Sequence, residues 1–460
     1  MQKDIKMKAA EFTYRGSMPY CKRHYWFEYP LTGLVLAFYI VFLPSMIFPQ
    51  VLLAQQNLNR TLSNSYLVNQ FYQHRSGKAF WFSPGEEALE LRRKLVSLIE
   101  SADLKGLDKF KYAYEPLKTH LEDDSFQAAD KIVYDRMYTD VAISYLGDIQ
   151  RGREMDLIIS HDEFSKKYKL KDNAFLIELL GSVTNAASLQ NMVEKLEPKT
   201  KDYRLLSYAL KQAIIDDDFE KTAQLSITLN CYRWISHFGF KKYVIVNIPS
   251  ATLLYLEGDS ILGNMKIVAG APVTPTPRFA AHCDAIVLYP YWHVPNSIAV
   301  KEILPAVKKV PDLLAFLSMQ VIDKKGKLID PATINWSAYN RSNFPYRFRQ
   351  STGCDNALGV IKFNLSSPFN VYLHDTNMKS AFEAEKRFLS HGCIRIEKPV
   401  SLANFLVKDK IDDQYLEACL KNQQPVEINL AQPVPVFVIY LLATVEDNKV
   451  VFHNDIYKLR

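Results

Sequence analysis

The chain has 460 residues, 48% of them hydrophobic, with 26 Tyr, 26 Phe and a formal net charge of +6. That length suits two domains with sizeable cores. The mild charge offers no dense basic patch, which excludes a nucleic-acid partner of the usual electrostatic kind.

Residues 1–30 form a basic N-terminus, six Lys/Arg against three Asp/Glu, expected to stay in the cytoplasm. Residues 31–54 are mostly apolar, and no charge occurs from Tyr29 to Asn59. Twenty-four residues are enough to span a bilayer, and Pro44 and Pro49 are tolerated in such a helix. The segment reads as an uncleaved transmembrane signal anchor or a signal peptide, the anchor being favoured by its length. Either way the remainder is exported.

Residues 60–240 read as a helical scaffold domain. Leu89, Leu91, Leu95, Leu98 and Ile99 lie close to a 3.6-residue stripe over Ala88–Ala102, and Gly106 follows as a stop. Ile132–Tyr145, Leu176–Leu180, Tyr203–Ile214 and Ala223–Trp234 continue the pattern. Asp216-Asp217-Asp218 is expected to be a solvated turn and not a metal site. From 241 to 460 the character changes to short β-branched and aromatic runs, Tyr243–Ile248, Ala251–Leu256, Met265–Val268, Val360–Leu365 and Val371–Leu373. Gly263-Asn264 and Asp447-Asn448 are the predicted hairpin turns. An insertion over about 281–348 carries helical pieces at Ser297–Ile303 and Val310–Met319. The fold class is therefore α+β.

The chemistry concentrates in Ser390-His391-Gly392-Cys393-Ile394-Arg395, with His374 separated from the serine by fifteen residues. A thiol, an imidazole and a glycine turn are what thiol attack on a carbonyl needs: nucleophile, base, and backbone N–H groups aimed at the oxyanion. Cys393 is the candidate nucleophile and His374 the general base. A Cys–His ion pair would lower the thiol pKa. His391 is expected to orient the turn or the substrate, and Gly392 to contribute oxyanion-hole backbone. Ser390, Tyr372 and Trp292 are candidate substrate contacts. Arg395 has a fork that suits a substrate carboxylate or a structural one. A zinc site at His374, His391 and Cys393 is disfavoured because the last two sit too close together, so neither metal nor cofactor is expected. Of six cysteines, five follow the apolar segment. At least one must stay unpaired, and Cys231, Cys283, Cys354 and Cys419 could be paired or plain core residues.

The histidine, spacer and Ser-His-Gly-Cys pattern resembles the YkuD-type L,D-transpeptidases. The stretches Val246–Gly258, Thr274–Phe279, Tyr289–Pro305, Asn356–Phe363 and Val371–Thr376 are similar to those of the large multidomain murein L,D-transpeptidases of Gram-negative envelopes. The chain departs from the simplest family pattern in carrying Arg395 where asparagine is usual. It also lacks the proline that relatives place in the segment Thr352–Asn356. The resemblance implies a β-rich catalytic domain with a helical capping lobe over the active-site groove, on the periplasmic side of the inner membrane, anchored or secreted. Its partners would be peptidoglycan stem peptides, donor tetrapeptide and acceptor. Cys393 would form a thioester with release of D-alanine, and a second stem amine would resolve it to a 3–3 cross-link. Water as acceptor would make a carboxypeptidase or endopeptidase, and a non-catalytic wall-binding protein would have no need of the Cys–His pair.

Overall fold

A computed structural model describes residues 62–122, 127–153, 174–407 and 411–459. The expected basic N-terminus and the apolar segment 31–54 lie outside these residues. Among the described residues no helix is long and apolar enough to cross a membrane.

The first half is helical. α1 (Ser65–His74), α2 (Glu86–Glu100), α3 (Ala128–Arg151) and α4 (Ala186–Leu196) enclose one core, in which Trp81, Leu95, Tyr138 and Tyr145 are fully buried. Helix starts follow their capping chemistry: Thr200 accepts from the Tyr203 N–H ahead of α5 (Lys201–Ile215). The aspartate triplet is the turn its composition predicts. Asp217 takes φ +53°, and Asp218 caps α6 (Phe219–Ser236) by accepting from the Lys221 N–H. α6 then packs Cys231, Trp234 and Ile235 against Ala280, Phe437 and Ile439 of the second half.

That second half is a closed mixed barrel. β1 (Lys242–Asn247), β2 (Thr252–Glu257), β3 (Ser260–Gly270) and β4 (Phe279–Leu288) are followed by four lobe strands. These are β5 (Trp292–His293), β6 (Met319–Ile322), β7 (Leu328–Ile329) and β8 (Arg347–Gln350). β9 (Ile361–Leu365), β10 (Leu373–His374), β11 (Phe388–Ser390), β12 (Ile394–Ile396) and β13 (Val426–Ile439) return to the barrel. The order is β11-β3-β12-β10-β9-β4-β13-β1-β2, and β2 pairs back to β3. Ile267, Ile286, Phe363, Leu373 and Ile394 share one interior core. Strand alternation therefore sends the residues between them to the outer face.

Two expectations need correction. The first hairpin turns at Gly258-Asp259, not at Gly263-Asn264, which lie inside β3 opposite Tyr255 and Leu254. Gly263 is required for another reason: a Cβ there would come within 2.2 Å of the Tyr255 ring. The capping insertion is not simply helical. Its Leu304–Lys309 helix and neighbouring turns pack on a four-stranded antiparallel sheet, β5-β8-β6-β7, around Val307, Leu314, Val321 and Phe348. The last hairpin turns where expected, with Asp447 and Asn448 both at positive φ.

Candidate active site

One row of side chains crosses the outer face of the barrel. Glu427 pairs with Val287, Val287 with Lys362, Lys362 with His374, and His374 with Arg395. Directly paired residues share a face, so Lys362, His374 and Arg395 stand side by side on three adjacent strands. Tyr372 precedes His374 by two residues and joins that face, its ring 5.6 Å from the imidazole. The Ile394 N–H donates to the Tyr372 carbonyl at 3.2 Å, which sets Cys393 beside Tyr372 at the head of β12. Cys393, in the bend just before β12, thus lies diagonal to His374 of the neighbouring strand β10.

The base is fixed in one orientation. His374 is buried, and its Nδ1 is paired with the Asp375 carbonyl oxygen, so Nδ1 carries the proton and Nε2 is left as acceptor. Burial pushes its pKa down to about 3, against the raising effect of that hydrogen bond and with further lowering by the Arg395 and Lys362 charges. The imidazole is neutral at every physiological pH. Asp375 anchors the turn as well. Its carboxylate accepts from the Val360 N–H at 3.0 Å and pairs with Lys379. Gly359, at φ +59°, lies so close that a Cβ would overlap this carboxylate.

The nucleophile's turn is held from within. Gly392 has φ +113°, a conformation that favours glycine. Ser390 is buried; its hydroxyl donates to the Cys393 carbonyl oxygen at 2.5 Å and accepts from the Gly392 N–H at 3.1 Å. Thr276 donates to the Gly392 carbonyl at 2.8 Å and accepts from the Gly270 N–H at 2.9 Å, fastening the turn to β3. The Gly392 N–H is therefore engaged inside the turn, which leaves the Cys393 N–H as the turn's open donor.

Cys393 is half-buried and unpaired. Burial raises its thiol pKa, opposed by the Tyr372 amide and hydroxyl and by the charges of Lys362 and Arg395. This corrects the expectation of a Cys–His ion pair. With the imidazole driven down and the thiol driven up, the resting pair is neutral on both sides.

The other candidates divide. Tyr372 lies in the site. Ser390 belongs to the framework of the turn. His391 points outward, and its Nε2 meets Glu302 at 2.9 Å, joining the turn to the π-helical segment Ala299–Ile303 of the lobe. Trp292 packs against the lobe core. Arg395, free to anchor a structural carboxylate, meets none among the described residues; its Nη1 contacts the Met378 sulfur at 3.8 Å. Reasoning from sequence did not single out Lys362. It lies within the quoted Asn356–Phe363 stretch, and only the register against His374 brings it into the site. Among the described residues no group of acids, histidines and cysteines could hold a metal ion. Cys354 and Cys419 form a disulfide with Cα atoms 5.1 Å apart, whereas Cys231 and Cys283 are buried and outside that bridge.

The barrel thus brings a thiol, an imidazole and two cations to one face, and comparison with known proteins adds the class of its domains. Residues 241–428 match the L,D-transpeptidase catalytic domain, YkuD, and residues 66–210 match a Scaffold domain. Residues 241–428 therefore carry a YkuD-type L,D-transpeptidase catalytic domain. It is 28% identical over 327 residues to the Haemophilus influenzae protein named "Putative L,D-transpeptidase", a match that spans 71% of this chain and 66% of that one. Similar solved structures include the Ldtfm-avibactam carbamoyl enzyme, at 14% identity and TM-score 0.22, covering 44% of this chain and 49% of that one. An L,D-transpeptidase from Mycobacterium smegmatis is 15% identical with TM-score 0.19, covering 43% and 58%. Likenesses that slight bear no argument about the site.

Proposed function

We propose that the protein is a peptidoglycan L,D-transpeptidase acting outside the cytoplasm through Cys393. The observation that carries this reading is the fixed tautomer of His374, which leaves Nε2 as its acceptor on the strand beside the Cys393 turn. Because both groups rest neutral, the proton moves from sulfur to Nε2 as the sulfur attacks, and no standing thiolate is needed. The carbonyl attacked joins the third residue of a tetrapeptide stem to its terminal D-alanine. The Cys393 N–H, in a turn held by Ser390 and Thr276, receives the developing oxyanion. His374 then returns the proton to the leaving amine, and D-alanine departs from a thioester. A second stem amine, deprotonated by the same imidazole, attacks the thioester and restores the thiol, giving a 3–3 cross-link. Tyr372, whose hydroxyl stands at the thiol, positions the sulfur during both steps.

Residues 31–54 would hold the catalytic domain at the periplasmic face of the inner membrane, as an anchor or as a leader. The scaffold domain would support the barrel through α6.

Incubation of the full-length protein with disaccharide tetrapeptide, followed by mass analysis of the products, tests the reading. A cross-linked dimer with release of one D-alanine is the expected product. Tripeptide alone would reassign the reaction to hydrolysis, and unchanged substrate would remove the activity.

A further inference from the structure

Lys362 and Arg395 flank the catalytic imidazole from the two neighbouring strands, and neither forms an ion pair with any described acid. Lys362 is half-buried, with its Nζ 4.4 Å from the centroid of the Tyr372 ring. Its nearest acid along the row is Glu427, two strands away across Val287, which places the backbones about 10 Å apart. Arg395 is half-buried and meets only a thioether. From the lobe, His293 feels the charges of Arg349, Lys362 and Arg347, and the lobe carboxylate of Glu302 is already paired with His391. Arg349 itself is occupied by the Gln320 side chain and the Tyr291 ring. Desolvating a cation is costly without a counter-charge, so two such cations beside a neutral base and a neutral thiol describe a site awaiting an anion.

We infer that Lys362 and Arg395 form a carboxylate-binding site around His374, which takes the free terminal carboxylate of the donor peptide. This rests on the transpeptidase reading for the identity of the ligand, but not for its charge. A residue whose amine nitrogen belongs to the attacked bond carries its own carboxylate a few ångströms from the sulfur, within reach of side chains one strand away. Arg395 offers the planar fork and Lys362 the point charge that such a group needs. The site thus selects a donor that ends one residue beyond the scissile bond.

Two haloacetates separate charge recognition from wall chemistry. In each, the Cys393 sulfur bonds to the methylene carbon, iodide leaves, and the thiol proton passes to His374 or solvent. Rates of Cys393 alkylation by iodoacetate and by iodoacetamide are compared on the full-length protein, using peptide mapping. The ratio of anionic to neutral reagent is expected to fall about tenfold in Lys362→Met and again in Arg395→Gln, the size of one charge-assisted contact. Lys362→Arg, which keeps the charge, should hold the ratio and so rule out a folding defect as the cause. An unchanged ratio in both charge-removing variants overturns the site. The second arm compares the tetrapeptide donor with its terminal carboxamide. The amide should lose about tenfold or more in kcat/KM with wild type and almost nothing further in the double variant. Equal use of acid and amide by wild type overturns the assignment to the terminal carboxylate. If the alkylation ratio shifts while neither donor reacts, the anion site stands and the transpeptidase reading fails.

Discussion

Charge is handled in opposite ways at the two ends of this molecule. In the scaffold, Asp135 is buried but fully enclosed: its carboxylate accepts from the N–H groups of Phe80, Trp81 and Phe82 and from the Tyr72 hydroxyl. Arg233 is completely buried, and it donates to the Lys105 carbonyl at 2.7 Å and lies 3.5 Å from Glu197. On the barrel's outer face, Lys362 and Arg395 surround a thiol and an imidazole without such closure. Closed networks fix a fold, because their buried charges already have partners. Open ones leave binding energy for a ligand.

The sharpest way to break the comparison is to remove the thiol. Cys393→Ala should reduce thioester formation and cross-linking below detection by mass spectrometry, with an unchanged unfolding midpoint. His374→Ala comes next and should slow acylation by about 10²–10⁴-fold, as loss of a general base does, measured by single-turnover D-alanine release. In the scaffold the expected loss is one of stability and not of chemistry. Asp135→Ala strands three backbone donors and should cost about 3–5 kcal/mol in denaturant unfolding, while the alkylation rate of Cys393 in the folded protein stays as in wild type. Gly392→Ala forces a side chain into φ +113° and should cost about 1–3 kcal/mol locally, seen as slower acylation with little change in overall stability.

The smallest effect concerns pH. The folded pKa of His374, about 3, lies below its unfolded value near 6.5. Between those values the unfolded chain binds the extra proton, so stability falls as pH drops through 6.5 toward 3 and is complete above it. His374→Gln should flatten that slope in urea midpoints taken across the window. For the reaction, a neutral base and a raised thiol predict acylation that stays level with pH through neutrality, without an acid limb at 6.5. A limb there would restore the ion pair.

Much of this was legible in the residues. Amphipathic periodicity located α2, α5 and α6 within a few positions and the middle of α3, because such stripes are local, whereas α4 was not read from the residues. The Cys393 turn was legible because glycine beside a thiol and two histidines is rare outside chemistry. What escaped was set by register. Lys362 looks like any solvated lysine in a β-run until its pairing with His374 is known. A hydrogen bond from Ser390 across its own loop and lobe packing of Trp292 were both open readings of the residues, and the fold decides for them. The hairpin at Gly258-Asp259 was missed because Gly263-Asn264 carries the stronger turn signal, and the need of Tyr255 for a facing glycine is a tertiary fact. The Cys354–Cys419 bridge depends on a loop meeting a segment 65 residues away.

The central claim is most directly tested by trapping the acyl-enzyme. Full-length protein mixed with disaccharide tetrapeptide, quenched in acid and digested, should show the tripeptide acyl mass on the peptide that contains Cys393, with one D-alanine released per adduct. D-Alanine release with no acyl group on that peptide, or the same release from Cys393→Ala, would contradict it.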